Sequence, residues 1–377
     1  MRIDLTDRNL WKSTHVIGAG GTLLSKLTDN GHVASTGHVS PLDFECNVEK
    51  ETRPFALKFY DNLFTSYIGL SENINKKTLN KIVKDIREVI TSYPTPKFIL
   101  VVCGTDAMEQ IAREIDKKLG ALIKERKIKV ILTGGNRRLS RRDTDGWDNL
   151  KSAFIKGHSK DIIPGVYIEF HNRLIPAELT VKELFDGVEM NYISSSDRNY
   201  IDSLKRQKEI SREIIDNLNK EIDQRTSGSR KGLGYPVNVI RSRQDRLRTK
   251  LTVQQPSLVL LTLYHSSTAN TDPKKPIASV AKVIEDYRDR TVFFAITENR
   301  ERVNLTPDAY ETSNKLREAG LIPLGTMNQQ VALAKLQMCA HMPKIQMIDT
   351  MTTNIVGELD EQSIDKKLIE NQKGFYT

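Results

Sequence analysis

The sequence predicts an α/β fold, with a doubly wound, mostly parallel sheet in a larger N-terminal domain and a smaller α/β C-terminal domain. Three observations predict it. Short, wholly apolar runs such as FILVV at 98–102 read as buried strands. Stretches with apolar residues at helical spacing stand between them. Several runs end in glycine and small polar residues, at the strand ends where such sheets bind ligands. The 377 residues suit two or three domains, at roughly 150 residues each. The expected divisions are an N-terminal domain over 1–200, a charged helix and basic connector over 201–256, and a C-terminal domain over 257–377.

In chain order, THVIG at 14–18 reads as a strand running into the glycine turn GAGGT. Leu79, Ile82, Val83, Ile86, Val89 and Ile90 share one helix face. Pro94 and Pro96 precede the strand at 98–102. Met108, Ile111, Ala112, Ile115 and Leu119 line the next helix, with Thr105-Asp106 where an N-cap belongs. KVILTGG at 129–135 and GVYIEF at 165–170 read as further strands. A polar helix over 200–224 carries Ile210, Ile214, Leu218 and Ile222 as its stripe, and 226–236 has the composition of a flexible connector. A second α/β run follows, with strands at 257–264 and 291–297 and a helix around 328–341.

Lysine and arginine number 57 against 48 acids, a formal charge of +9, with 38% hydrophobic and 28% charged residues. That balance suits a globular chain and argues against a mostly disordered one. No apolar run approaches the ~20 residues that span a bilayer. Residues 1–15 lack a secretory pattern, so a cytoplasmic setting is expected. Cys46, Cys103 and Cys339 are far apart and show no CxxC spacing, which argues against a zinc ribbon or a disulfide framework. The positive charge is uneven. From Arg225 to Lys250 eight basic residues face one acid, Asp245, and Arg137, Arg138, Arg141 and Arg142 form a second cluster. Each reads as a solvated loop or as a surface for nucleic acid or an acidic partner. Tyr235 is the lone aromatic in 225–250, so a base-stacking platform is poorly supported.

The chemistry is sought at the strand ends. GAGGT is not GxGxxG, because Leu23 stands where the third glycine belongs, and no Gly-Lys-Ser/Thr follows as in a P-loop. It is a tight turn that exposes N–H groups beside the Thr22 hydroxyl. Such a turn is either structural or a nucleophile with an oxyanion hole. Alone, Thr105-Asp106 reads as a helix cap and Lys182 as a solvated surface lysine. The seven histidines show no HExxH spacing, and His171 and His265 read as ordinary polar residues, so no metal site is expected.

Taken together and in order, these fragments resemble the bacterial-type L-asparaginases, which use a threonine nucleophile. Ala19-Gly20-Gly21-Thr22-Leu23 resembles the family's Thr-Gly-Gly-Thr-Ile, and Cys103-Gly104-Thr105-Asp106-Ala107-Met108 its His-Gly-Thr-Asp-Thr-Met. Thr133-Gly134 with Thr144-Asp145-Gly146 and Asn149-Leu150, then Gly165-Val166-Tyr167 and on to Lys182, follow the family order. Residues 319–327 and Ala334-Lys335-Leu336 are also similar, and the likeness covers most of the chain outside 200–256. Some positions depart. Ala19 replaces a threonine or serine, Cys103 a histidine, Leu70 an aspartate and Val181 a threonine. Tyr264-His265-Ser266 replaces Tyr-Pro-Gly, and residues 23–46 hold no tyrosine for the family's mobile lid, leaving Thr28, His32, Thr36 or His38 as substitutes.

The resemblance implies roles. Thr22 would attack a side-chain amide carbon, with Thr105 as the second threonine and Lys182 working with it. Asp106 would hold the substrate's α-ammonium and Ser71 its α-carboxylate. Backbone N–H groups around Gly21 and Thr105 would stabilise the oxyanion, at about 3–4 kcal/mol for one donor. A lysine kept near neutral by burial would relay a proton through Thr105. Asparagine and water would give aspartate and ammonia, with no metal or organic cofactor. Glutamine or a larger amide is the alternative substrate, since one methylene discriminates by only about 1–3 kcal/mol. An alternative of another class is a binding or regulatory protein that uses Arg137–Arg142 and 225–250 to engage nucleic acid or an acidic partner. The resemblance also implies a homodimer or homotetramer, with Glu298, Glu311 or another C-terminal carboxylate reaching a neighbour's site.

Overall fold

The computed structural model describes residues 3–27, 33–34, 48–92, 94–185, 189–225, 235–241, 257–264, 267–272, 279–297, 303, 305 and 310–376. Thr28, His32, Thr36, His38, Cys46, His265, Ser266, Glu298 and most of the basic stretch 225–250 lie outside the described residues. The chain forms two compact units, Met1–Asp197 and Arg198–Thr377. Both are α/β, the first built on a parallel-dominated sheet and the second on a smaller one.

The first unit begins with helix α1 (Arg8–Lys12), strand β1 (Thr14–Ala19), the two-residue strands β2 (Lys26–Leu27) and β3 (Val33–Ala34), and helix α2 (Arg53–Asp61). Strand β4 (Leu63–Tyr67), helix α3 (Lys76–Thr91), β5 (Phe98–Cys103), α4 (Thr105–Glu125) and β6 (Lys129–Thr133) follow. Helix α5 (Gly146–His158), β7 (Gly165–Phe170), β8 (Arg173–Pro176), β9 (Thr180–Phe185) and β10 (Glu189–Ser194) complete it. The main sheet runs β4-β1-β5-β6-β7-β8 and is parallel except for β8, which turns back against β7. β9 and β10 form a separate antiparallel hairpin. Every residue of β5 is buried, as a central strand covered on both faces requires. The helix spacing is realised: Leu79, Ile82, Val83, Ile86 and Ile90 are the buried face of α3. Asn75 caps that helix through the amides of Lys77 and Thr78. From β1 the chain goes to β4 on one side and to β5, β6 and β7 on the other. β1 and β5 therefore flank the switch point, where an open α/β sheet leaves a crevice.

Several features of this unit differ from the sequence expectation. The cap of α4 is Gly104, which makes no side-chain cap bond, while Thr105 and Asp106 are the first two helical residues. Their side chains are thereby released from capping. Strand β4, the hairpin β9–β10 and helix α5 are additional elements. β4 is a half-exposed edge strand, LFTSY, whose periodicity is too weak to register alone.

In the second unit, helix α6 (Arg198–Arg225) leads to β11 (Val237–Arg241), β12 (Ser257–Leu263), α7 (Val280–Tyr287), β13 (Thr291–Thr297) and α8 (Glu311–Ala319). After β14 (Ile322–Pro323) come α9 (Gln329–Cys339), α10 (Lys344–Thr352) and α11 (Lys366–Lys373). The sheet order is β11-β12-β13-β14, all parallel. On one face Leu258, Leu260, Val292 and Phe294 meet Leu218 and Ile222 of α6. Val259, Leu261, Phe293 and Ala295 form the core with α7 and α8 on the other. Of the expected stripe on α6, Leu218 and Ile222 are buried whereas Ile210 is exposed. The last turns of that helix are thus core of this unit. β11 also interrupts the basic stretch, where the sequence reading expects only a connector.

Candidate active site

β1 and β5 lie in register, with Ala19 opposite Cys103, so the loops that follow them emerge together. Gly20 and Gly21 have φ of +75° and +94°, a region that side-chain-bearing residues rarely adopt. A Cβ on Gly21 would lie 2.1 Å from the amide nitrogen of Gly104, at the start of α4. A Cβ on Gly20 would lie 2.3 Å from the carbonyl oxygen of Gly69, in the loop after β4. The Gly21 amide donates to that same oxygen at 2.8 Å. A Cβ on Gly104 would lie 2.4 Å from Ser71 Oγ. The loops after β1, β4 and β5 therefore meet backbone to backbone. Thr22, Ser71, Thr105 and Asp106 are carried into one neighbourhood, each within a residue or two of these contacts.

Thr22 opens a single 3-10 turn, Thr22–Leu24, and is half-buried. Its carbonyl accepts from Ser25 N at 3.2 Å and Ser25 Oγ at 2.7 Å. Leu23, wholly buried, packs toward Gly135 and Gly146, and its carbonyl accepts from Leu139 N at 3.4 Å. The loop after β6 is in turn held by Asp145, which accepts from the amides of Asn136 (2.9 Å) and Arg137 (3.1 Å). Burial pushes the Asp145 carboxyl up, but hydrogen bonds from His171, Asn136 and Arg137 outweigh it and hold the group below its ordinary range. Arg137 and Arg141 of the arginine cluster both pair with Asp143, closing the loop on itself.

Lys182 lies on β9 and is 3% exposed, which removes the reading of a solvated surface lysine. Its Nζ donates to Thr105 Oγ1 at 2.9 Å and to Asp106 Oδ1 at 2.8 Å. A lone buried charge costs several kcal/mol, and here lysine and carboxylate offset one another. Lys182 and Asp106 thus form a buried ion pair at 2.8 Å. Directly opposite on β10, Tyr192 donates its hydroxyl to the Thr105 carbonyl at 2.5 Å. Arg113 of α4 donates to the carbonyl of Thr180 at 2.7 Å, tying down the start of the hairpin.

Of the backbone N–H groups around Gly21, the Gly21 amide itself is engaged with the Gly69 carbonyl. Glu72, 3% exposed beside Ser71, escaped the sequence reading. The available signal was a carboxylate next to a serine expected to bind a charged group. Tyr192 escaped it as well, because only strand pairing places it opposite Lys182. Among the described residues no group of three or more His, Cys, Asp or Glu is placed to hold a metal ion. Nor is any described helix long and apolar enough to cross a membrane.

Residues 13–224, more than half of the 377, match the family described as "Asparaginase, N-terminal". The chain belongs to the asparaginase family, a family of amidohydrolases. Among solved structures it is similar to the thermostable L-asparaginase from Thermococcus kodakarensis, at 17% identity and a TM-score of 0.34, over 92% of this chain and 99% of that one. It is also similar to L-asparaginase I from Vibrio cholerae, at 16% identity and a TM-score of 0.34, over 92% of this chain and 98% of that one. No curated protein matches the sequence.

Proposed function

We propose that this protein hydrolyses the side-chain amide of a small amino acid, L-asparagine in the first instance, through a threonine acyl-enzyme. The observation that carries the reading is the buried Thr105–Lys182–Asp106 cluster beside the turn that bears Thr22. Asp106 receives the substrate's α-ammonium, with Glu72 as a second carboxylate nearby, and Ser71 receives the α-carboxylate. An ammonium brought to Asp106 weakens that residue's hold on Lys182 and disfavours the lysine's own charge. Lys182 then accepts, through the Thr105 hydroxyl, the proton that Thr22 loses as its oxygen attacks the amide carbon. The amide of Thr105, at the first position of α4 where helical N–H groups lack an intrahelical acceptor, serves the oxyanion. The proton passes to the departing nitrogen, ammonia leaves, and water cleaves the Thr22 ester to give aspartate and the free hydroxyl. The mechanism asks for no metal or organic cofactor.

Glutamine remains the competing substrate, and comparison of kcat/KM for the two amides decides between them. A homodimer or homotetramer, with a neighbouring C-terminal carboxylate completing the site, belongs to the same proposal. The reading as a binding or regulatory protein gains little from the arginine cluster, since Arg137 and Arg141 are engaged with Asp143. The test is ammonia release from asparagine by the purified protein. Thr22→Ala is expected to lose on the order of 10³-fold or more in kcat, as deletion of a nucleophile does. Equal rates for the two proteins would remove the assignment.

A further inference from the structure

Lys182 stands on neither strands nor helices of the main sheet layer. It stands on a two-stranded hairpin, β9–β10, which must be docked against α4 for Nζ to reach Thr105 and Asp106. Tyr192 is paired with Lys182 across that hairpin, so the two side chains leave adjacent strands at one level. Both end on the same residue: Lys182 on the Thr105 hydroxyl, Tyr192 on the Thr105 carbonyl. Tyr192 is 1% exposed, and its ring meets Phe170 of β7 edge-on at 5.2 Å between centroids. A phenol buried to this extent needs a partner for its O–H. Here it has one at a helix terminus, in addition to the main-chain bond that a carbonyl in the first turn accepts.

We propose that Tyr192 is a positioning residue of the site: its hydroxyl latches the Lys182 hairpin to the start of α4 and fixes the distance between lysine and threonine. The inference rests on the functional reading for its kinetic consequence but not for its geometry. Without the hydroxyl the ring still packs on Phe170, while the hairpin loses one of its bonds to the start of α4 and keeps those of Lys182 to Thr105, Asp106 and Glu109. Arg113 still anchors the start of β9, at Thr180, so the hairpin keeps its fold and loses only its precision near Thr105.

The test is Tyr192→Phe, read in two independent ways. In the first, the rate at which an amine-reactive acylating reagent labels Lys182 is followed by peptide mass mapping of the folded protein. It is expected to rise by about three- to tenfold, the range spanned by one hydrogen bond. In the second, kcat for ammonia release is expected to fall by a similar factor with KM little changed. That fall should vanish in a Lys182→Met background, because two residues acting through one device are not additive. Unchanged labelling of Lys182 overturns the latch whether or not the protein is an amidase. Equal loss of kcat in the presence and absence of Lys182 overturns it also, by reducing Tyr192 to a packing residue. Increased labelling in a protein that releases no ammonia leaves the latch standing and sinks the functional reading instead.

Discussion

At the scale of single residues, the site depends on backbone approach that only glycine permits. Gly21 combines a φ of +94° with a neighbouring nitrogen that a Cβ would meet at 2.1 Å. Gly357 has almost the same φ, +91°, but nothing within 4 Å. The pair separates strain from collision. Gly357→Ala should cost about 1 kcal/mol, from backbone strain alone. Gly21→Ala should cost roughly 2–3 kcal/mol and should also abolish ammonia release, because the turn cannot keep Thr22 against α4. Urea unfolding of the two variants, with the amidase assay, checks both. Gly21 was legible in the sequence as part of a turn that presents a hydroxyl. That its amide is committed to Gly69 was not, because the acceptor lies 48 positions away in the chain.

At the scale of elements, the buried Lys335 is held by a partner from another segment. On α9 Lys335 is wholly buried, donating to the carbonyl of Thr353 at 2.6 Å and to Glu358 at 2.5 Å. Glu358 also accepts from the amides of Ile355 and Val356, so the pair ties the loop after α10 to α9. Burial pushes the Glu358 carboxyl up, yet the charge and hydrogen bond of Lys335 hold it below its ordinary range. Lys335→Met leaves that carboxylate buried without its cation. The expected loss is about 3–5 kcal/mol, measured by urea unfolding. Lys335→Met with Glu358→Gln should recover part of it, since the uncompensated charge is gone. The motif Ala334-Lys335-Leu336 was visible in the sequence as a family-like fragment. Its partner was not, because an ion pair across 23 positions leaves no local pattern.

At the scale of the whole molecule, the charge balance and the histidines depressed by burial, His158 foremost beside His15, shape the response to acid. The chain is already at +9 near neutrality, so protonation adds to self-repulsion. His158, at the end of α5, lies against Phe98 and Phe154, with its Nε2 2.8 Å from Thr14 Oγ1. Burial, and then the nearby Lys129 charge, depress it from 6.5 to about 4. The unfolded chain therefore takes up this proton first as pH falls. Stability is unaffected by His158 above about 6.5, declines as pH drops from there to about 4, and declines no further below it. Glu169 acts in the opposite sense, because burial raises its carboxyl and the fold favours its protonated form. His158→Gln, which keeps a donor toward Thr14, should flatten the fall of Tm between pH 6.5 and 4, and Tm against pH for the two proteins measures it. A fall as steep in the variant as in the parent would place the acid sensitivity elsewhere.

What the amino-acid order determined by itself was whatever repeats locally. The α/β class, the buried strands 98–102 and 165–170, the apolar faces of α3 and α4, and the glycine turns at strand ends all follow from periodicity and backbone preference. Four candidate site residues were legible because short motifs carried Thr22, Thr105, Asp106 and Lys182 in family order. Tertiary structure alone decided that Lys182 is buried, that Asp106 pairs with it and leaves capping to Gly104, and that Tyr192 closes on the same threonine. These are contacts between residues 76 to 87 positions apart. They arise because parallel crossovers and a folded-back hairpin return distant chain to one strand end, and no local sequence pattern records which side chains meet there.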